Sequence, residues 1–466
     1  MTGPPRILTE NLRVVNVGLS SFADPLLAIE TPVMTPAWRP AAGGNEVVGM
    51  ALARLLGDAE VDTANREALL RLLASEPRLI GVAPAQEAMP MLQGRALLHA
   101  GPPIEWTRMC GPMKGAVLGA VLLEGWAQDI GTAEELLDAG GVSLRPAHDA
   151  GAVGPMAGVV SPSMPVVIVE DARTHRRAYS TLNEGLGKVL RFGANDAAVL
   201  ARLRWMSDHL GPTLSAALER LDEPPNLKNI TAQALQMGDE CHNRNVAATS
   251  LLTRLLAPKL AGMGPDGVEA LEFLRDNNHF FLNVSMAACK LMAGAAERIP
   301  RSTVVTAMAR NGVDFGLRMS GTGDEWFVAP ASKVAGLYFA AYSEVDANPD
   351  LGDSSITETV GLGGFAMAAA PAIVGFVGGT VADATRHSRE MRRITVGENP
   401  EYRLPALDFA GTATGIDVRL VLDANLVPVI NTGIAHRVPG IGQIGAGVAR
   451  APMSCFKAAM LRLAAG

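Results

Sequence analysis

A chain of 466 residues is longer than one small core can organise, so about two to four domains are expected. Its 48% hydrophobic and 19% charged residues exclude a disordered or low-complexity protein and leave enough apolar side chains for large cores. A net charge of -7 with no basic tail argues against nucleic acid or an anionic membrane as the main partner. The four cysteines, Cys110, Cys241, Cys289 and Cys455, lack the paired spacing of a disulfide framework or a CxxC metal site, which suits a reducing cytoplasm. The start of the chain, Met1 to Arg13, has no signal-peptide core. No uninterrupted apolar run is long enough to span a membrane, since Val360 to Thr380 is broken by seven glycines and prolines.

In chain order, Arg13 to Phe22 reads as a buried strand, a tight turn and a helix start. Helical patterns follow at Ala51 to Leu56 and Ala64 to Ala74, then a strand at Leu79 to Ala83. This alternation predicts an α/β protein that begins with a Rossmann-like, largely parallel open sheet. Asn16-Val-Gly18 falls where such folds bind phosphate, but no GxGxxG follows, which disfavours a dinucleotide and an oxidoreductase. Gly111-Pro112 marks the start of a helix with Arg108 and Lys114 nearby. Cations there oppose the helix dipole and make sense beside a bound anion, although surface charges on a packed helix explain them equally well.

Glycine-rich blocks recur around residues 110, 150, 184, 239, 322 and 363. Those containing Gly154 and Gly323 offer backbone N–H groups for close approach to a ligand, while a tight turn is the plainer reading. Residues 195 to 222 form an apolar-faced helical pattern, and Leu221 to Asn226 breaks it. The segments expected from these breaks are 1–145, Rossmann-like; 146–225, a glycine-loop α/β segment; 226–305, helical; and 306–466, mixed α+β. Near the end, Ile416 to Leu422 and Val427 to Ile430 read as strands, with a closing helix after Gly447. Asp350 to Glu358 and Gly361 to Gly364 read as an anion- or metal-facing loop.

The densest polar stretch is Met237-Gly-Asp-Glu-Cys-His-Asn-Arg-Asn245, set between two apolar helical segments. So many groups that resist desolvation beside core sequence point to use, against the plainer reading of a solvated helix start capped by Asp239. If Glu240 to Asn245 opens the following helix, Glu240, Asn243 and Arg244 share one face, and Cys241 pairs with Asn245. His242 then points elsewhere, so adjacent Cys241 and His242 make neither a catalytic dyad nor a zinc site. His279 is flanked by Asn277, Asn278 and Asn283 and backed by Phe280 and Phe281, a setting for a positioned imidazole or a hydrogen-bonded histidine at a helix cap.

These blocks together resemble the AllG/YlbE-like family over nearly the whole chain. The matching segments include Asn16-Val-Gly-Leu19, Trp38-Arg-Pro-Ala-Ala-Gly43, Gly111-Pro-Met-Lys-Gly-Ala116, Val153-Gly-Pro-Met-Ala-Gly158 and Leu182-Asn-Glu-Gly-Leu-Gly-Lys188. The most specific are Gln236 to Asn245, Asn278 to Asn283, Met308 to Gly316 and Gly321 to Phe327, closed by Gly442 to Val448. Lys114 stands where arginine is commoner in the family; the charge survives, but a bidentate grip does not.

The resemblance implies an oxamate carbamoyltransferase subunit of purine and allantoin nitrogen catabolism, working with FdrA-like and AllH-like subunits. That enzyme interconverts oxalurate plus phosphate with oxamate plus carbamoyl phosphate; no cofactor or metal is implied, and a homo-oligomer is expected. The alternatives are a non-catalytic structural or regulatory subunit, and a nucleotide-binding oxidoreductase. Carbamoyl transfer needs oxyanion donors, a phosphate-binding cation and a group that handles the amide proton. His279, Arg244 and Glu240 are therefore the expected catalytic residues. Asn243, Asn245, Asn278, Asn283, Lys114, Arg108, Gly154 and Gly323 are expected to bind substrate, and a covalent role for Cys241 is an unforced option.

Overall fold

A computed structural model of the chain describes residues 12–36 and 39–465. The calls on residues 1–11 and on Trp38 lie outside these. Within them the protein is a mixed α/β structure built on several small sheets, with Val14–Val15 pairing in parallel with Val33–Met34. Among the described residues the expected N-terminal, largely parallel open sheet is not present. Val15 is 62% exposed and Val17 56%, so the apolar run at 13–17 is an uncovered edge and not a core strand. The first long strand, Pro77–Pro84, instead lies antiparallel to Pro165–Asp171, in a four-stranded sheet completed by Arg177–Thr181 and Ala152–Val153.

Helical expectations fare better. The patterns at 51–56 and 64–74 fall inside helices Glu46–Leu56 and Ala59–Ala74, each opened by a capping side chain, Asn45 and Asp58. The pattern from 195 runs through Ala197–Trp205 and Gly211–Glu219, joined by a π-turn at Met206–Leu210. Four consecutive helices follow, Leu227–Gln236, Val246–Leu260, Gly264–Asp276 and Phe280–Ala295. The last is buried on nearly every side, packed between the Pro165–Asp171 and Arg177–Thr181 strands, helix Ala59–Ala74 and the short helix Ile356–Thr359. A helix apolar all round has no solvent face to offer, and its polar residues must find partners inside.

The C-terminal part holds an antiparallel sheet, in the order Phe327–Pro330, Asp314–Met319, Val305–Asn311 and Leu351–Gly352. A three-stranded sheet orders Ala335–Tyr338, Gln443–Arg450 and Val429–Ala435. The strand expected at 416–422 is instead the end of strand Ala410–Ile416 and a helix, Val418–Ala424. Asp417 decides the switch: its carboxylate accepts from the Arg419 amide and caps the helix.

One buried ion pair ties these sheets together. Arg310 on strand Val305–Asn311 is fully buried and donates to both oxygens of Asp350, at 2.8 and 3.0 Å. It also donates to the Gly352 carbonyl at 2.6 Å and the Thr432 hydroxyl at 3.1 Å. The segment after Asp350 is thereby fixed between two sheets. Removing one partner strands a buried charge, so Arg310→Met is expected to lower unfolding free energy by about 3–5 kcal/mol in urea titrations. Arg310→Met with Asp350→Leu is expected to recover much of that loss, and a double variant no better than the single one contradicts this account.

Candidate active site

The polar stretch after helix Leu227–Gln236 does not continue as helix. Residues 238–245 form a loop, Cys241 takes a left-handed φ of +60°, and helix Val246–Leu260 begins only after Asn245. Glu240, Asn243 and Arg244 therefore do not share a helical face. The loop is shaped by carboxylates that capture its own amides. Glu240, fully buried, accepts from the amides of His242 at 3.0 Å and Arg244 at 2.6 Å, and Asp239 accepts from the Ala248 amide at 2.9 Å. Burial pushes the Glu240 carboxyl well above the usual carboxylate range, more than its two hydrogen bonds pull it down, with Glu358 and Asp239 adding repulsion.

This loop turns His242 inward. Its Nδ1 lies 2.8 and 3.1 Å from the two carboxylate oxygens of Glu358, and 3.2 Å from the Thr357 hydroxyl. Glu358 is itself oriented by the amides of Gly364 at 2.9 Å and Asn431 at 3.1 Å and by the Thr357 hydroxyl at 3.0 Å. A carboxylate at Nδ1 calls for a proton there, which leaves Nε2 as the basic nitrogen available to the cavity. Gly363 permits the approach: at φ +57° a Cβ would stand 2.1 Å from a Glu358 oxygen, so no other residue fits.

His242 lines a small cavity of about 20 Å³ with Asn243, His279, Arg191, Ser354 and Gln443. Asn243 donates to the Asn431 side chain at 2.5 Å. Arg191 is buried, donates to the Gly185 carbonyl at 2.7 Å, and keeps its Nε without a partner; burial lowers it to about 10, so it stays cationic at neutral pH. His279, at the N-cap of helix Phe280–Ala295, is lowered to about 4, by burial first and then by Arg191 and His242. The site thus sets one carboxylate-backed imidazole and one neutral imidazole around a buried guanidinium. Such a set moves a proton, donates to a carbonyl and holds an anion.

Of the residues expected from sequence, His279 and Asn243 meet here. Arg244 does not: it is 41% exposed, donates to the Gly238 carbonyl at 3.0 Å and lies 3.7 Å from Asp239. Glu240 acts behind the wall. Asn245 donates to the His242 carbonyl at 2.6 Å, and Asn283 bridges Asn183 and the Thr181 carbonyl, both within the fold. Asn278 is exposed. Arg108 pairs with Asp314 at 2.9 Å, Lys114 lies over the Trp106 ring, and Gly323 occupies a turn; none of these three lines this cavity. The Gly154 amide is taken by Asp353 at 3.0 Å. Cys241 is fully buried in the main apolar cluster, and burial pushes its thiol well above the ordinary value, the opposite of an activated nucleophile. Sequence reasoning missed His242, Glu358, Arg191 and Ser354 as a group. The acidic Asp350–Glu358 run beside a glycine loop was the available signal for two of them.

Residues 142–354 match the family model described as oxamate carbamoyltransferase subunit AllG. Over 461 residues the chain is 46% identical to the uncharacterized protein YahG of Escherichia coli strain K12, covering 98% of each. It is 47% identical over 409 residues to the oxamate carbamoyltransferase subunit AllG of the same organism, covering 87% of this chain and 98% of that one. The chain belongs to the AllG family. A crystal structure of a conserved protein of unknown function from Enterococcus faecalis V583 is similar to it, with a TM-score of 0.86 and 48% identity over 87% of this chain and 98% of that one. The AllG family match takes in Arg191, His242, Asn243, His279 and Ser354 and stops short of Glu358.

Holding His279 neutral has a cost that depends on pH. The unfolded chain takes up a proton below about 6.5, while the folded ring resists until about 4, so stability falls as pH drops through that interval. His279→Gln removes this contribution. The unfolding free energy of the wild-type chain relative to the variant is expected to fall by on the order of 2–3 kcal/mol between pH 7 and pH 4. A difference that does not vary with pH contradicts a partly buried, neutral imidazole.

Proposed function

We propose that this chain carries the acid–base and substrate-binding site of an oxamate carbamoyltransferase-like enzyme. The reading rests on His242 and Glu358, paired at 2.8 Å, with His242 lining a cavity that Arg191 and His279 also line. Its 47% identity to the oxamate carbamoyltransferase subunit AllG supports the reaction class.

In the direction of oxalurate breakdown, a phosphate oxygen attacks the carbamoyl carbon and the bond from that carbon to the oxamate nitrogen breaks. The proton lost by phosphate must reach the departing nitrogen, which is a poor leaving group without it. His242 Nε2 takes the proton and returns it, with Glu358 stabilising the imidazolium in between. Arg191 neutralises phosphate or the substrate carboxylate, the neutral His279 ring donates to the carbamoyl oxygen as charge builds there, and Asn243 orients the amide. Synthesis of oxalurate runs through the same groups in reverse.

The cavity is too small for this substrate as it stands, which favours a site that opens or is completed on assembly with FdrA-like and AllH-like subunits. The same observation favours the second reading, a non-catalytic subunit that steadies a catalytic partner. Phosphate-dependent oxalurate cleavage by the assembled enzyme separates the two. His242→Asn and Glu358→Gln are expected to lower kcat by roughly 10²–10⁴-fold, the usual weight of general acid–base catalysis. Arg191→Gln is expected chiefly to raise KM. Full rates in both the His242 and Glu358 variants, with the complex intact, favour the non-catalytic reading.

A further inference from the structure

A second cavity, of about 480 Å³, shares no lining residue with the first and falls in the size range of small-molecule sites. Its walls carry six lysine and arginine side chains against three carboxylates, in a chain whose net charge is -7. Two of the cations are buried: Lys290 on helix Phe280–Ala295, 2.8 Å from Glu297, and Arg318 on strand Asp314–Met319, paired with Asp149. The Arg318 guanidinium lies over the Trp326 ring, its carbon 4.3 Å from the ring centroid, and its Nε has no partner. His148 is 2% exposed, its ring set edge-on to Trp326. Neither ring nitrogen has a hydrogen-bond partner; Nε2 is 3.5 Å from Asp353, outside good geometry.

Buried polar atoms without partners, on a wall with surplus positive charge, call for an anion that accepts several hydrogen bonds. We infer that this cavity binds a phosphorylated small molecule, with the phosphate against Lys290, Arg318 and His148. Three donors set on separate elements suit the three terminal oxygens of a phosphomonoester better than the two of a carboxylate. The guanidinium over Trp326 offers a planar set of donors, and the ammonium adds a point charge. Burial, then Lys290 and Arg318, lower the His148 ring well below its ordinary range, so it meets the ligand as a neutral donor. The remaining volume accommodates the body of the molecule, with further arginines at the mouth. The inference stands apart from the carbamoyl-transfer reading, which uses the other cavity.

The test is calorimetric titration of the full chain with ribose 5-phosphate, a phosphomonoester too bulky for the first cavity, with ribose as the uncharged control. Saturable one-site binding is expected for the phosphate and none for ribose. Arg318→Gln and Lys290→Gln are each expected to weaken binding about tenfold or more, and Arg191→Gln to leave it unchanged. Should the two buried variants fail to fold, Arg298→Glu at the exposed mouth serves, with several-fold weaker binding and an unchanged melting temperature expected. The proposal is overturned by an absence of saturable binding up to about 10 mM, well past the weak end of specific affinities. It is equally overturned by equal affinity across the cavity variants, by loss in Arg191→Gln alone, or by tighter binding of a tricarboxylate than of the phosphomonoester.

Discussion

Buried carboxylates held by backbone amides set the geometry of this protein. Glu240 gathers the amides of His242 and Arg244, Glu358 those of Gly364 and Asn431, Asp353 those of Gly101 and Gly154, and Glu184 those of Leu190 and Arg191. A carboxyl group, ionised or protonated, is costly to bury without hydrogen-bond partners, and amides in irregular backbone need acceptors just as much. Each need satisfies the other, and the loops take the only shapes in which both are met. The glycine-rich blocks therefore serve acidic side chains that belong to the protein itself. Their N–H groups grip carboxylates, and the carboxylates in turn position the side chains that face the cavities.

From this follows the order of the site. Arg310 fixes Asp350 between two sheets, and the short segment beyond it delivers Asp353 to one set of loops, Ser354 to the first cavity and Glu358 to His242. Glu240 presents His242 from the other side through the loop amides. The imidazole is held from both directions, its Nδ1 committed to Glu358 and its other edge turned to the cavity. Arg191 is placed by the same logic: Glu184 captures its amide, and its guanidinium is left with an unpartnered Nε. On the proposed carbamoyl-transfer reading, these two side chains would be the proton carrier and the anion holder, whose precise positioning such a transfer requires.

Much of the helical framework was legible from periodicity and capping residues, as at Ala59–Ala74 behind Asp58, because those signals are local. The region from 227 to 295 also reads correctly as helical. The residues around the cavity were legible singly and not as a constellation. Met237 to Asn245 contributes His242 and Asn243 to the small cavity, but as a loop and not a helix, because Glu240 bonds amides two and four residues on where the residue types allow a helix. Glu358 lies 116 residues from His242, a pairing no local pattern carries. The same limit explains the edge at Val14–Val15, where an apolar run resembles a core strand until the tertiary structure leaves it uncovered. At Asp417 the local signals compete: a capping side chain starts helix Val418–Ala424 inside an apolar run that reads as a strand.

The account turns on which nitrogen of His242 carries the proton. Long-range proton–nitrogen correlation spectra of histidine-labelled protein, with the His242 signals assigned by their loss in His242→Gln, report the tautomer of the neutral ring directly. A protonated Nδ1 and a bare, pyridine-like Nε2 are predicted, with Glu358→Gln abolishing that preference. A ring protonated at Nε2 and bare at Nδ1 would contradict the pairing with Glu358 on which the site is built.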